Sequence, residues 1–471
     1  MPSFRVGRKE TVESKITKYA RMIGTPALFC CLVLALFSCT GSPDAYRDID
    51  TAVHRDDFEK GIEAIRKGQE GPNPIYPERN AISLYLDRGL LEHYAGHYRE
   101  SSLDLQEAER LIEEAYTRSI SESVASYIAN DNTKTYPGED YEDIYINVFN
   151  ALNYYNRGNL EGAMVEIRKI TISNGKLDLL SRKYENVRPD ISDWVLAQLR
   201  NMGIMQSPDL PKGQPVNFSN SALARYLGFL FYLGEGKEDD ARIEFEQLQE
   251  AYAANRNIYN TPLPASASGA MNVPPGKARL NVIAFTGLSP IKAEGTFNSI
   301  FPFFQNPYLR SPVFKLPRFA GRNSEITRIE VVVNGNDNFS LELLEDMGAV
   351  MRETYNARFS DLFFKTYIRI MLKYAAADVS AARAAERGSS TRAMLSAIMA
   401  KTAIDASEAA DIRMSRYLPD KAYIGGVNLE PGTYTVTVNY YSGRRIVAGD
   451  EHRNVDVRAG VLNLIESVSL K

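Results

Sequence analysis

Four stretches of this chain share one spacing, and that spacing commits the N-terminal half to helices. They are "HRDDFEKGIEAIRKG", "LLEHYAGHYRESSLDLQEAERL", "VFNALNYYNRGNLEGAMVEIRKI" and "LGFLFYLGEGKEDDARIEFEQL". Each reads as a helix, a Gly or Asp turn, and a second helix with a small residue near its start. The first carries Phe58, Gly61 and Ile65; the second Gly96, Tyr98, Ser101, Leu105 and Ala108. The third carries Ala151, Tyr154, Gly158, Leu160, Ala163, Ile167 and Ile170; the fourth Tyr232, Gly236, Ala241, Phe245 and Leu248. A turn glycine permits a tight connection between helices. The small residue lets the helices approach, and the large residues four positions on fill the seam.

This pattern resembles the second half of a tetratricopeptide repeat. Gly96, Gly158 and Gly236 stand 62 and 78 residues apart, against a period of about 34 in that repeat, so insertions separate the units. The alternative is a generic helical domain of short αα-hairpins. A helical domain over 51–255 is expected on either reading.

Cysteine usage limits the rest. All three cysteines, Cys30, Cys31 and Cys39, lie in the first tenth of the chain, which excludes a disulfide framework or a thiol-based metal site in the body. Upstream of Cys39, a basic region (Arg5, Arg8, Lys9, Lys15, Lys18, Arg21) precedes an apolar run from Ile23 to Phe37. At about 15 residues the run is short for a membrane span and fits a secretory signal. The sequence Leu36-Phe37-Ser38-Cys39 resembles a bacterial lipobox. The resemblance implies cleavage after residue 38 and acylation of Cys39, giving a signal over 1–38 and a tether over 39–50. Several acyl chains, at roughly 0.8 kcal/mol per buried CH₂, anchor firmly. The signal holds six basic and two acidic residues, so its loss takes the net charge from −4 to −8. An acidic body argues against nucleic acid as a partner.

A Pro-, Ser- and Gly-rich stretch at 256–277 reads as a linker. Beyond it the period changes, and residues 278–471 read as a mixed α/β domain ending in a small β-sandwich-like unit. The whole is thus α+β. "ARLNVIAFTG" and "TRIEVVVNG" are expected as strands, and Leu341 to about Lys373 as a helix with Ser340 as its N-cap. An alanine-rich helical stretch, Ala393 to Ala410, follows, and "LEPGTYTVTVNYY" opens the closing strands. Between the first two strands, Pro302, Pro307, Pro312 and Pro317 fall every five residues and exclude helix. Aromatics interleave with them. Phe301, Phe303, Phe304, Tyr308 and Phe314 are candidate partner contacts, the alternative being that they pack on their own domain.

No catalytic motif is found. His93 and His97 are spaced i, i+4 but lack the glutamate of HExxH, and are expected as partly exposed repeat residues. Glu139, Asp140, Glu142 and Asp143 crowd a helix start, where the dipole favours acids. The sequence assigns no cofactor and no metal, and leaves the oligomeric state open.

"YPGEDYEDIYINVFNALNYYNRGNLEGAMVEIRK", Tyr136 to Lys169, and "ADIRMSRYLP", Ala410 to Pro419, resemble signature blocks of a family of tetratricopeptide-like bacterial lipoproteins of the cell envelope, of unassigned biochemical function. Strands opening on Pro431-Gly432-Thr433-Tyr434 follow the second block, as in the family; the aromatic usual in that block is replaced by Ser415 or Arg416. The resemblance implies an envelope role and brings no catalytic residues; the expected location is a lipid anchor at the outer membrane facing the periplasm, with the plasma membrane as the alternative. The leading expectation is a non-enzymatic protein–protein interaction scaffold with an envelope protein as partner. A glycan- or small-solute-binding lipoprotein and a cell-wall hydrolase are the alternatives.

Overall fold

The computed structural model describes residues 43–119, 130–185, 218–298, 308–309, 312–386 and 390–471. A 3-10 turn, Pro43–Tyr46, runs directly into α1 (Arg47–Val53), within the stretch expected as tether. Then follow α2 (Phe58–Gly68), α3 (Ala81–Tyr94), α4 (Tyr98–Ser119), α5 (Asp140–Asn156), α6 (Leu160–Thr171), α7 (Lys176–Glu185), α8 (Ala222–Gly234) and α9 (Glu238–Ala254). They stack in chain order, with α6 against α8.

Four of the connections are the same turn. Gly96, Gly158 and Gly236 have φ of +81°, +73° and +70°, and Asp56 takes the same place at +56°. In each, the turn residue's N–H donates three residues back, as Gly158 does to the Tyr155 carbonyl at 2.8 Å and Asp56 to Val53 at 2.9 Å. The next N–H donates five back, as Asn159 does to Tyr154 at 2.9 Å and Asp57 to Ala52 at 3.0 Å. These paired bonds satisfy carbonyls left open at a helix C-terminus. A Cβ on Gly96, Gly158 or Gly236 would meet nothing within 4 Å, so the backbone angle alone selects glycine there. Five residues beyond each turn residue stand Gly61, Ser101, Ala163 and Ala241, all buried; nine beyond stand Ile65, Leu105, Ile167 and Phe245, also buried. Ala151 is fully buried in α5, and the Tyr154 hydroxyl accepts from the Gln106 amide at 3.0 Å.

The segment 256–277 contains a 3-10 helix, Ala265–Met271, and buries Ile258, Tyr259 and Ala267. Ten strands follow: β1 (Ala278–Leu288), β2 (Ile291–Asn298), β3 (Val313–Ala320), β4 (Arg328–Val333), β5 (Asp337–Ser340), β6 (Glu342–Asp346), β7 (Pro419–Leu429), β8 (Gly432–Ser442), β9 (Arg445–Val457) and β10 (Asn463–Ser469). One sheet runs β10-β1-β7-β6, a second β5-β4-β8-β9, and β2-β3 is a separate ribbon. Among the described residues only β1 and β10 pair in parallel. Alternation along β1 divides two cores. Leu280, Val282 and Ala284 pack with Val331, Val438 and Tyr440 of the second sheet, while Ile283 and Phe285 join the helical core with Phe149. The first sheet is therefore the middle layer between the helices and the second sheet.

One expectation is corrected. Leu341–Asp346 is not the start of a helix, because its backbone pairs with β7 as β6; the helix α10 (Met347–Glu386) begins where the Asp346 carboxylate accepts the Ala349 N–H at 2.7 Å. Pro317 lies within β3, opposite Glu294; a two-stranded ribbon has an open edge that tolerates a residue without an N–H. α11 (Ser390–Ser407) folds back on α10. There Arg369 and Lys373 hold the buried Glu408 at 3.0 and 2.6 Å.

Candidate functional site

A dense polar arrangement lies where the helices meet the middle sheet. The segment 408–418, between α11 and β7, has no regular structure, so its peptide groups need partners from elsewhere. Asn132 donates to the Ala410 carbonyl at 3.1 Å. Arg413 reaches the carbonyls of Asp131 and Lys134 at 2.8 and 2.7 Å while paired with Asp411 at 2.7 Å. Tyr94 donates to the Tyr417 carbonyl at 3.0 Å.

Two buried carboxylates hold the middle of this strap. Glu142 accepts from the Ser415 N–H at 2.5 Å on one oxygen, and from Tyr136 at 2.8 Å and the Glu139 N–H at 2.9 Å on the other. Asp87 of α3 accepts from Ser415 Oγ at 2.8 Å, the Arg416 N–H at 2.7 Å and Tyr76 at 2.7 Å. Arg416 turns outward to Asp50 at 2.8 Å, and Tyr417 donates to the same carboxylate at 2.9 Å. Glu139 and Glu142 cap α5 reciprocally, a capping box that uses glutamate where Ser or Thr is usual. Glu139 is also neutralised within the chain, by Lys292 and by Arg358 at 2.8 Å. Glu139 is thus met by cations from β2 and α10, while Asp143 and Asp140 are met by Lys176 and Lys183 of α7, each at 2.6 Å.

Burial pushes Glu142 up to about 7, reinforced by the negative Glu139 and opposed by the Ser415 N–H and Tyr136. Burial likewise raises Asp87 to about 6, against its hydrogen bonds from Tyr76, Arg416 and Ser415. A third buried carboxylate, Glu345 of β6, gathers Tyr259 at 2.6 Å, Tyr145 at 2.9 Å, Ser221 at 3.0 Å and the Leu223 N–H at 3.2 Å. Burial raises it as well. All three accept donors from separate parts of the chain, so they work as clasps.

His93 is buried, not the partly exposed residue expected. Its Nδ1 faces the Asn153 carbonyl oxygen at 2.7 Å and its Nε2 faces Glu466 at 2.5 Å. Asn153 gives its own amide N–H to Ser101 at 2.8 Å, so both ring nitrogens face acceptors and the imidazolium fits best. Burial lowers the histidine's pKa, but the charge and hydrogen bond of Glu466 outweigh it and leave it raised. His97 turns away to Glu92 at 2.6 Å, so the i, i+4 pair does not converge. Among the described residues no group of three His, Cys, Asp or Glu side chains is placed to hold a metal ion.

Cys39, Phe301, Phe303 and Phe304 lie outside the described residues. Tyr308 is exposed, whereas Phe314 is buried, with its ring against Tyr367 and Phe363 at 6.1 and 6.3 Å. Phe314 thus packs on its own domain. Asp87 and Glu345 escaped the sequence reading. Asp87 carried one local signal: it lies four residues before the buried Leu91, on an apolar helix face. Glu345 carried none.

No protein-family model matches the chain, and comparison with curated proteins and with solved structures also finds no match.

Proposed function

We propose that this chain is a bacterial envelope lipoprotein, acylated at Cys39 and held at the outer membrane facing the periplasm, that acts as a non-enzymatic scaffold for protein–protein interaction. In this reading the four hairpins form a tetratricopeptide-like array and the second half ends in a β-sandwich-like unit. The shared turn and the shared burial five and nine residues beyond it support the array. The two blocks that carry the family resemblance meet in space at Glu142 and Ser415, which gives both one structural purpose.

One observation carries the interaction role. Seven residues beyond Gly96, Gly158 and Gly236 stand Leu103, Val165 and Ile243, exposed by 61%, 44% and 48%. This position lies about 200° round the helix from the small residue that packs the seam, so it points outward. A singly exposed apolar residue is ordinary. The same outward position is occupied by Leu, Val and Ile in three successive hairpins, a repeat that supports an interaction role for this face of the array. The anchor is tested by metabolic labelling with a palmitate analogue. Label in the wild type and none in Cys39→Ala is expected; equal label in both rejects the lipoprotein reading.

A further inference from the structure

We infer that the α1–α2 end of the array is held against the lipid headgroups, with the α8–α9 hairpin at the end away from the bilayer. The inference rests on the proposed acylation of Cys39 and adds which end of the body faces the membrane, and how closely. The chain is already fixed at Tyr46. Arg416 lies 4.3 Å over the Tyr46 ring, which meets Tyr76 edge-on at 5.5 Å. One turn later Asp50 is bound by Arg416 and Tyr417, and Ile49 and Val53 are fully buried. Pro43–Tyr46 is itself helical and leads straight into α1. Only Thr40, Gly41 and Ser42 separate the acylated residue from this fixed part. Even fully extended, four residue steps span about 14 Å, little more than one helix diameter.

Such a tether keeps the α1–α2 end within about 14 Å of the bilayer surface at every tilt of the body. The α8–α9 hairpin lies three stacked hairpins further on, roughly 30 Å away at about 10 Å per packed helix layer. The mature chain carries a net −8 once the signal is removed, so attraction to anionic headgroups is not what sets this arrangement. Chain length sets it.

The absence of cysteine beyond Cys39 makes the test direct. Acylated full-length protein carrying Asp48→Cys on α1, or Gln249→Cys on α9, both exposed positions, is labelled with a fluorophore. Each is reconstituted into phosphatidylethanolamine–phosphatidylglycerol vesicles containing a headgroup-nitroxide lipid. Quenching several-fold stronger at position 48 than at 249 is expected. Inserting about 30 Gly/Ser residues after Ser42 is expected to remove the difference. Equal quenching at the two positions with the native tether, on protein whose Cys39 carries acyl chains by mass spectrometry, overturns the inference and leaves the lipoprotein reading standing. Absence of acyl chains on Cys39 overturns both.

Discussion

Glu142 Oε1 accepts the Ser415 N–H at 2.5 Å across 273 residues of sequence. That bond ties the cap of a helix in the first half of the chain to a strap that leads into the middle sheet of the second. With Asp87 on the same serine, it makes the helical and β parts one mechanical body.

The clasp gives stability a defined pH dependence. Glu142 and Asp87 have folded pKa values raised to about 7 and about 6, and His93 is raised as well. A raised group contributes stability that is fully present below its unfolded value and is lost as pH rises through its folded value. Urea unfolding is therefore expected to weaken between pH 5 and pH 8, Glu142 accounting for on the order of 2–3 kcal/mol. Glu142→Gln is expected to flatten that slope. A slope equal to wild type would show that Glu142 does not titrate in this window.

Removing the second carboxylate leaves donors stranded. Asp87→Ala exposes Tyr76, Ser415 Oγ and the Arg416 N–H to an apolar gap and is expected to cost on the order of 3 kcal/mol. Asp87→Asn keeps the shape and is expected to cost less. Thermal melts of the pair check the order; an alanine variant as stable as asparagine would show that the strap is not held here.

The repeated turn separates two kinds of sensitivity. Gly158→Ala meets no neighbour within 4 Å, so only its φ of +73° resists, at about 1–2 kcal/mol. Ala163→Leu enters a fully buried seam and is expected to cost about 1–3 kcal/mol through overpacking. The discriminating readout is the packing: near-UV circular dichroism should change for Ala163→Leu and stay native for Gly158→Ala. A native near-UV spectrum and an unchanged melt for Ala163→Leu would contradict the seam.

Asn150 is fully buried in α5, and its amide nitrogen and oxygen have no protein hydrogen-bond partner. An apolar residue of similar size relieves that cost, so Asn150→Leu is expected to raise stability by about 1 kcal/mol. A fall in the denaturation midpoint would contradict this.

The hairpins were legible in the sequence because a left-handed turn residue and a helical burial period are local properties, carried by Gly158, Ala163 and Ile167 alone. Leu341–Asp346 was misread because its helical spacing was overridden by pairing with β7, a strand some 80 residues on. Glu142 read as an ordinary acid at a helix start. Its burial comes from Ser415, and no local pattern reports a lid supplied from the other end of the chain. His93 was legible as a repeat residue, but Glu466 places it in the core.

In the proposed scaffold, Leu103, Val165 and Ile243 present the binding face. The triple variant Leu103→Asp, Val165→Asp, Ile243→Asp alters only exposed positions, so its unfolding free energy is expected to stay within about 0.5 kcal/mol per site. Envelope proteins cross-linked to wild type in intact cells and absent from the triple variant, at equal expression and membrane location, are the predicted result. The same cross-linked proteins recovered in equal amount with both would contradict the account.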